Sequence, residues 1–186
     1  MIPALIYGKG SGADGARCWM QECRARRPVP MDPASDETPP DVSIVLAKFG
    51  IGLNDASERT RAALAERIGK ERDTAGTEAD ERAKALRVLS WYCLEWLPAW
   101  LDLCPATVEH AAQLRAIESV VDANAEAVGV IVRAAVSAAR SAAWSAAGSA
   151  ARSALAPTVE KLQDSAVALW DELAAWPSTE TTKDQP

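Results

Sequence analysis

From Ser137 to Leu155 the chain reads SAARSAAWSAAGSAARSAL, with serine at 137, 141, 145, 149 and 153. No proline interrupts Asn124 to Ala156, and alanine is the strongest helix former, so residues 125–155 are predicted to form one helix. A period of four advances an α-helix by about 400°, so the serine row drifts by about 40° at each repeat and has turned nearly to the opposite side by Ser153. That drift, with Arg140 and Arg152 interrupting the repeat, rules out a single flat polar face of the ice-binding kind. What the repeat holds constant is small volume. Ser141 and Ser145 with their alanines allow a neighbouring helix to approach closely, hydroxyls can bond back to the carbonyl four residues earlier, and Trp144 is expected to anchor the segment. Bulky residues at heptad spacing are missing, which argues against a conventional coiled coil.

The rest of the chain supplies the bulk that the repeat lacks. Leu86, Leu89, Cys93, Trp96 or Leu97, Trp100 and Cys104 recur at helical spacing, and Pro98 should clash with the carbonyl of Leu94 and kink or split that helix. Val159, Leu162, Ala166, Leu169, Leu173 and Trp176 outline a last helix with Pro157 in its first turn. Val42 to Asn54 fits helical better than alternating spacing, with Asp41 as its cap. Asp55 and Glu58 read as a capping box for a following helix that runs to about Ile68 and stops at Gly69, and Asn54 closes the helix before it. Thr107 restarts the chain as the cap of a helix that presents Val108, Ala111, Leu114 or Arg115, Ile117, Val121 and Asn124. The segment KERDTAGTEADE reads as a charged, solvated loop, and Glu78, Asp80 and Glu81 as an exposed helix end. The expected fold is all-α, an irregular bundle of about six helices around the long Ala/Ser-rich helix, behind a Gly/Pro-rich N-terminal segment. Its 186 residues suffice for one domain. That single domain is expected over 1–176, with 1–40 mostly irregular apart from a short helix near 16–26, and 177–186 as a disordered tail.

Charge and hydropathy bound the function. A net charge of −6 disfavours nucleic acid as a partner, and the best basic patch, Arg17, Arg24, Arg26 and Arg27, is short and contains Glu22. No apolar run approaches the ~18–20 residues of a membrane span, and no leader-like start is present, so a cytoplasmic protein with no membrane partner is expected. Cys18, Cys23, Cys93 and Cys104 are expected to be free thiols, because their spacing suits no zinc knuckle pair of pairs and a reducing compartment keeps them apart. His110 is the single histidine, which restricts nucleophilic and acid–base designs. No catalytic residue, metal site or cofactor is assigned.

Two function classes remain. The first is a non-catalytic accessory or interaction protein, whose tryptophans could anchor a protein partner and whose small-residue helix could equally form a homo-oligomeric seam. The alternative is a small enzyme or a nucleotide- or phosphometabolite-responsive factor. It would use the loop GKGSGADG, in which Lys9, Ser11, Asp14 and Arg17 lie among glycines next to a helix start where an anion could bind. The loop does not match a nucleotide P-loop, since Lys9 precedes the glycine.

The block SDETPPDVSIVLAKFGIGLNDASERTR (Ser35 to Arg61), the Trp/Cys-rich helix after it and the Ser-Ala-Ala tetrads follow one another in an order that resembles uncharacterised helical proteins of actinobacteria and their phages. The matching positions are Asp36, Pro39, Asp41, Val42, Ser43, Val45, Leu46 and Leu53-Asn54-Asp55, with Asp41 where the group often has Cys and Ser43 where it often has Pro. The resemblance implies a phage or high-GC bacterial setting and carries no activity with it.

Overall fold

The computed structural model describes residues 3–10, 17–29, 31–32, 34–35, 37–145 and 149–177, without the side chains of 139–154. Across these residues the chain is all-α: α1 (Trp19–Ala25), α2 (Ile44–Ala56), α3 (Glu58–Ala65), α4 (Glu78–Trp91), α5 (Leu97–Leu101), α6 (Val108–Arg115), α7 (Ala125–Ser145) and α8 (Ser149–Ala174). It divides into two compact units, one made of Met1–Lys84 with Gln163–Pro186 and the other of Ala85–Leu162.

In the first unit, Trp19 on α1 and Trp170 on α8 are both fully buried and meet edge to face, ring centroids 5.8 Å apart. Leu46, Ala47, Leu53, Leu64, Leu169 and Leu173 are buried in the same unit. The helical reading of 42–54 holds, but the caps differ from the local expectation. Ser43, not Asp41, caps α2, its Oγ accepting from the Leu46 amide at 3.2 Å. Ser57, not Asp55, caps α3, its Oγ accepting from Thr60 N at 3.1 Å. Asp41 and Asp55 are drawn instead to partners far along the chain. Helix α3 ends at Ala65, and turns carry the chain past Gly69, whose φ of 102° suits glycine.

The second unit packs α5, α6 and the first half of α7 around Leu97, Leu101, Ala111, Leu114 and Ala135, with Cys93, Val120 and Val128 in an adjoining cluster. Pro98 disturbs the helix as expected, and the form of the disturbance is a π-turn. Residues Tyr92–Trp96 are π-helical, and Leu97 N–H reaches back to the Tyr92 carbonyl, five residues earlier. Widening the turn before a proline eases the clash of its ring with the carbonyl four residues back. Tyr92, Trp96 and Trp100 follow one another along this stretch, with Tyr92 and Trp96 stacked at 5.1 Å and Trp96 and Trp100 tilted by 53° at 5.8 Å. Helix α6 is shorter than expected and stops at Arg115; Val120 then takes the buried place expected of Val121, which is 46% exposed. Thr107 caps nothing with its side chain; its Oγ donates to the carbonyls of Leu101 and Cys104.

The last helix does not begin at Pro157. Helix α8 runs from Ser149 straight through it to Ala174. Pro157 is exposed, and a proline on the solvent side of a helix leaves the carbonyl it orphans open to water. Residues 146–148, in the middle of the predicted 125–155 helix, lie outside the described residues. So do the side chains of Ser141, Trp144 and Ser145, and the tail from 178 onward.

Candidate functional site

The N-terminal segment has no core-forming periodicity, so its placement depends on polar bonds, and two short sequence features supply most of them. Asn54, 1% exposed near the end of α2, accepts the Trp19 amide on Oδ1 at 3.2 Å and donates from Nδ2 to the Ile6 carbonyl at 2.9 Å and to Asp55 Oδ1 at 2.8 Å. Asp55 Oδ1 also accepts the Gly8 amide at 2.8 Å. Gln21 on α1, fully buried, accepts the amides of Gly10 (2.8 Å) and Cys18 (3.1 Å) and donates to the carbonyls of Gly10 and Ala34. A parallel bridge between Leu5 and Arg17 completes the attachment. Asn54 and Asp55 therefore bond residues 6–8 and the start of α1 rather than serving as local caps.

Beside these fasteners lies a cavity of about 140 Å³ lined by Gly8, Lys9, Cys18, Trp19, Met20, Ile51, Asn54 and Asp55. Of the four residues expected to form a ligand loop, Lys9 lines it. Arg17 does not: its Nη1 bonds Glu22 at 3.2 Å. Ser11 and Asp14 lie outside the described residues. An anion nest needs free amides, and the amides of Gly8, Gly10, Cys18 and Trp19 are all taken by side-chain oxygens of this unit.

The basic patch is spent in the same way. Arg26 Nε pairs with Glu22 at 2.7 Å, which also holds Arg17. Arg24, 6% exposed, donates to the carbonyls of Asp32 and Glu37, both at 2.9 Å, and so fixes the proline-rich crossing segment. Arg27 pairs with Asp41.

Charges that the sequence places in solvent are buried. Glu71 is 0% exposed, with Oε2 accepting the Gly69 amide at 2.6 Å, and Lys84 is 1% exposed. Lys84 Nζ donates to the Thr74 carbonyl at 2.6 Å and pairs with Glu81 Oε1 at 3.3 Å. Glu81 Oε2 accepts from Ser43 Oγ (2.9 Å) and the Val45 amide (3.1 Å), so a carboxylate on α4 closes the N-terminus of α2. Asp80, 5% exposed, forms a reciprocal cap with Thr77 at the start of α4. Nothing in the composition of KERDTAGTEADE distinguishes Glu71, Asp80 and Glu81 from a solvated run; the one available signal was the Thr77-x-x-Asp80 capping pattern.

These contacts make stability pH-dependent. Burial opposes ionisation of Asp41, Glu81 and Asp171, yet each is held below its usual range: Asp41 by Arg27, Glu81 by the Val45 amide with Ser43 and Lys84, Asp171 by Arg67 with Lys70. Groups with a lowered folded pKa contribute stability that is complete above the unfolded carboxylate values of about 4 and is lost as pH falls through the folded ones. The urea midpoint is thus expected to drop steadily from about pH 4.5 downward. In Asp171→Asn, whose parent pairs with Arg67 at 2.7 Å, the drop should be shallower; an unchanged slope would contradict the assignment.

All four cysteines are free thiols. Burial pushes the Cys23 thiol well above its usual range and the neighbouring Glu71 carboxylate adds to that, while burial alone raises Cys93. Cys104 is the half-exposed one. Peptide mapping after timed alkylation should find Cys104 modified first and Cys23 last; early labelling of Cys23 would show that α1 is not buried.

Among the described residues no three His, Cys, Asp or Glu side chains are grouped to hold a metal ion, and no helix is long and apolar enough to cross a membrane. No protein-family model, no curated protein and no solved structure matches the chain.

Proposed function

We propose that the protein is a non-catalytic accessory protein that acts by binding another protein, in the cytoplasm and in the phage or high-GC bacterial setting that the sequence resemblance implies. The observation that carries this reading is the outer face of α7. Its inner face is seated through Val128 and Ala135, at 2% and 0% exposure, whereas Ala127, Val130, Ala134 and Ser137 stand exposed at alternating spacings of three and four, Val130 at 56%. A row of small uncharged residues lets a partner helix approach closely, and an exposed branched residue in its middle gives that helix something to bury. In this reading the Ala/Ser-rich helix is the central element of an irregular bundle and offers its uncovered side to the partner. The engagement of Arg17, Arg24, Arg26 and Arg27 within their own unit supports a protein rather than a nucleic acid as that partner.

The test uses the full chain and Val130→Glu, which places a charge on the exposed face without touching the buried one. Affinity capture from the producing cell should recover one reproducible protein with the parent chain and lose it with the variant, at equal melting temperature. Recovery unchanged by Val130→Glu would remove α7 from the interaction. A concentration-dependent dimer in sedimentation, abolished by the same substitution, would assign the face to a second copy of the chain.

A further inference from the structure

We propose that the partner seated on the outer face of α7 is a second copy of this chain, packed antiparallel across a two-fold axis near Val130. The inference rests on the reading of that face as a protein-binding surface and gives it one occupant. It uses the second unit alone. Across residues 125–138 the exposed positions of α7 are Glu126, Ala127, Val130, Arg133, Ala134 and Ser137. At about 100° per residue these six fall in one sector roughly 120° wide, centred on Val130. Val130, 56% exposed, is the large apolar group that this sector leaves uncovered.

Charge and volume are arranged on this sector in matching pairs. Glu126 and Arg133 are seven residues apart, so they lie about 10 Å apart along the axis and within about 20° of each other, on one edge. Ala127 and Ala134 have the same separation on the other edge, and Val130 stands between the two pairs. Arg133 Nη1 lies 3.4 Å from where a Cβ on Gly129 would stand, which keeps the guanidinium on its own edge. A two-fold axis perpendicular to the helix near Val130 reverses the axial direction and leaves each edge on its own side. Glu126 of one protomer then stands opposite Arg133 of the other, and the reciprocal pair forms with it, as an isologous contact requires. Val130 meets its own copy across the axis, and the alanines let the two backbones approach. A parallel seam would set Glu126 against Glu126 and Arg133 against Arg133, a like-charge arrangement that disfavours it.

The experiment is sedimentation equilibrium of the full chain over a concentration series, at low salt, with charge swaps at two exposed positions. The parent should dimerise reversibly with a midpoint of about 100 µM, because one helix face is smaller than the standard interfaces whose affinities begin at micromolar. Glu126→Arg and Arg133→Glu each turn both ion pairs into like-charge pairs and should weaken the dimer about fivefold or more. The double swap restores both pairs and should bring the midpoint back to within about twofold of the parent, and the two single variants mixed together should associate as a heterodimer. A dimer that the single swaps leave unchanged, or that neither the double swap nor the mixture recovers, would overturn the proposed seam. A parent that stays monomeric to about 1 mM would overturn the second copy as occupant; loss of a different captured protein in Val130→Glu would then leave the reading of the face standing, and unchanged capture would remove that reading too.

Discussion

Gly50→Ala is expected to lower the stability of the first unit by about 2 kcal/mol, while Gly52→Ala, two residues away on the same helix, should raise it by about 1 kcal/mol. A Cβ on Gly50 would stand within 3 Å of three ring carbons of Trp19. Trp19 is fully buried with its ring edge to face against Trp170, so any shift of the ring disturbs that contact. Overpacking of this kind costs about 1–3 kcal/mol or more, and the gain of about 1 kcal/mol in helix propensity offsets only part of it. At Gly52 an added Cβ meets nothing within 4 Å, so the propensity gain stands alone. Urea midpoints of the two variants should therefore move in opposite directions. A neutral Gly50→Ala would mean that α1 does not lie against α2 as described.

The second large effect belongs to Lys84. Replacing it with alanine removes a buried ammonium that bonds the Thr74 carbonyl and pairs with Glu81, and leaves Glu81 with less to balance its charge. Breaking a buried ion pair from one side costs about 3–5 kcal/mol, and the Glu81 side chain, at 21% exposure, places this case near the lower end, about 3 kcal/mol. Lys84→Met keeps the packing of the long side chain and should cost less. Combining it with Glu81→Gln should recover part of the loss, because the amide can still accept from Ser43 and Val45 with no unpaired charge. Thermal unfolding of the set reports the order directly. Equal losses in Lys84→Met and the double variant would show that the unpaired Glu81 charge does not set the cost.

Features legible in the sequence are those decided within one or two helical turns. The helical spacing of Ile44 to Leu53 marked α2, and Pro98 marked a disturbed turn, since its missing N–H and its ring act on the residues just before it. Features decided at long range were not legible. Asn54 and Asp55 look like local caps, because short polar side chains near a helix end usually bond nearby backbone. Their actual partners are 35 and 48 positions away for Asn54 and 47 away for Asp55. Glu71 and Asp80 sit in a run that composition marks as solvated, yet both are buried, and Glu81 at its end bonds the Ser43 hydroxyl and the Val45 amide of a distant helix start. Pro157 shows the converse error: a proline that can start a helix can also sit inside one when it faces solvent. In the loop expected to bind a ligand, Lys9 lines a cavity, and the acceptors that occupy the Gly8 and Gly10 amides, Asp55 and Gln21, come from distant parts of the chain.

The central claim is that the glycine-rich start of the chain is held by side chains of α1 and α2, so that its amides serve the fold and not an anion. Hydrogen exchange of the Gly8, Gly10, Cys18 and Trp19 amides, followed by NMR in the full chain with and without inorganic phosphate, tests it most directly. The account predicts slow exchange at all four, unchanged by phosphate, with Trp19 losing its protection in Asn54→Ala. Exchange at the rate of a free chain, or protection that appears only when phosphate is added, would contradict it.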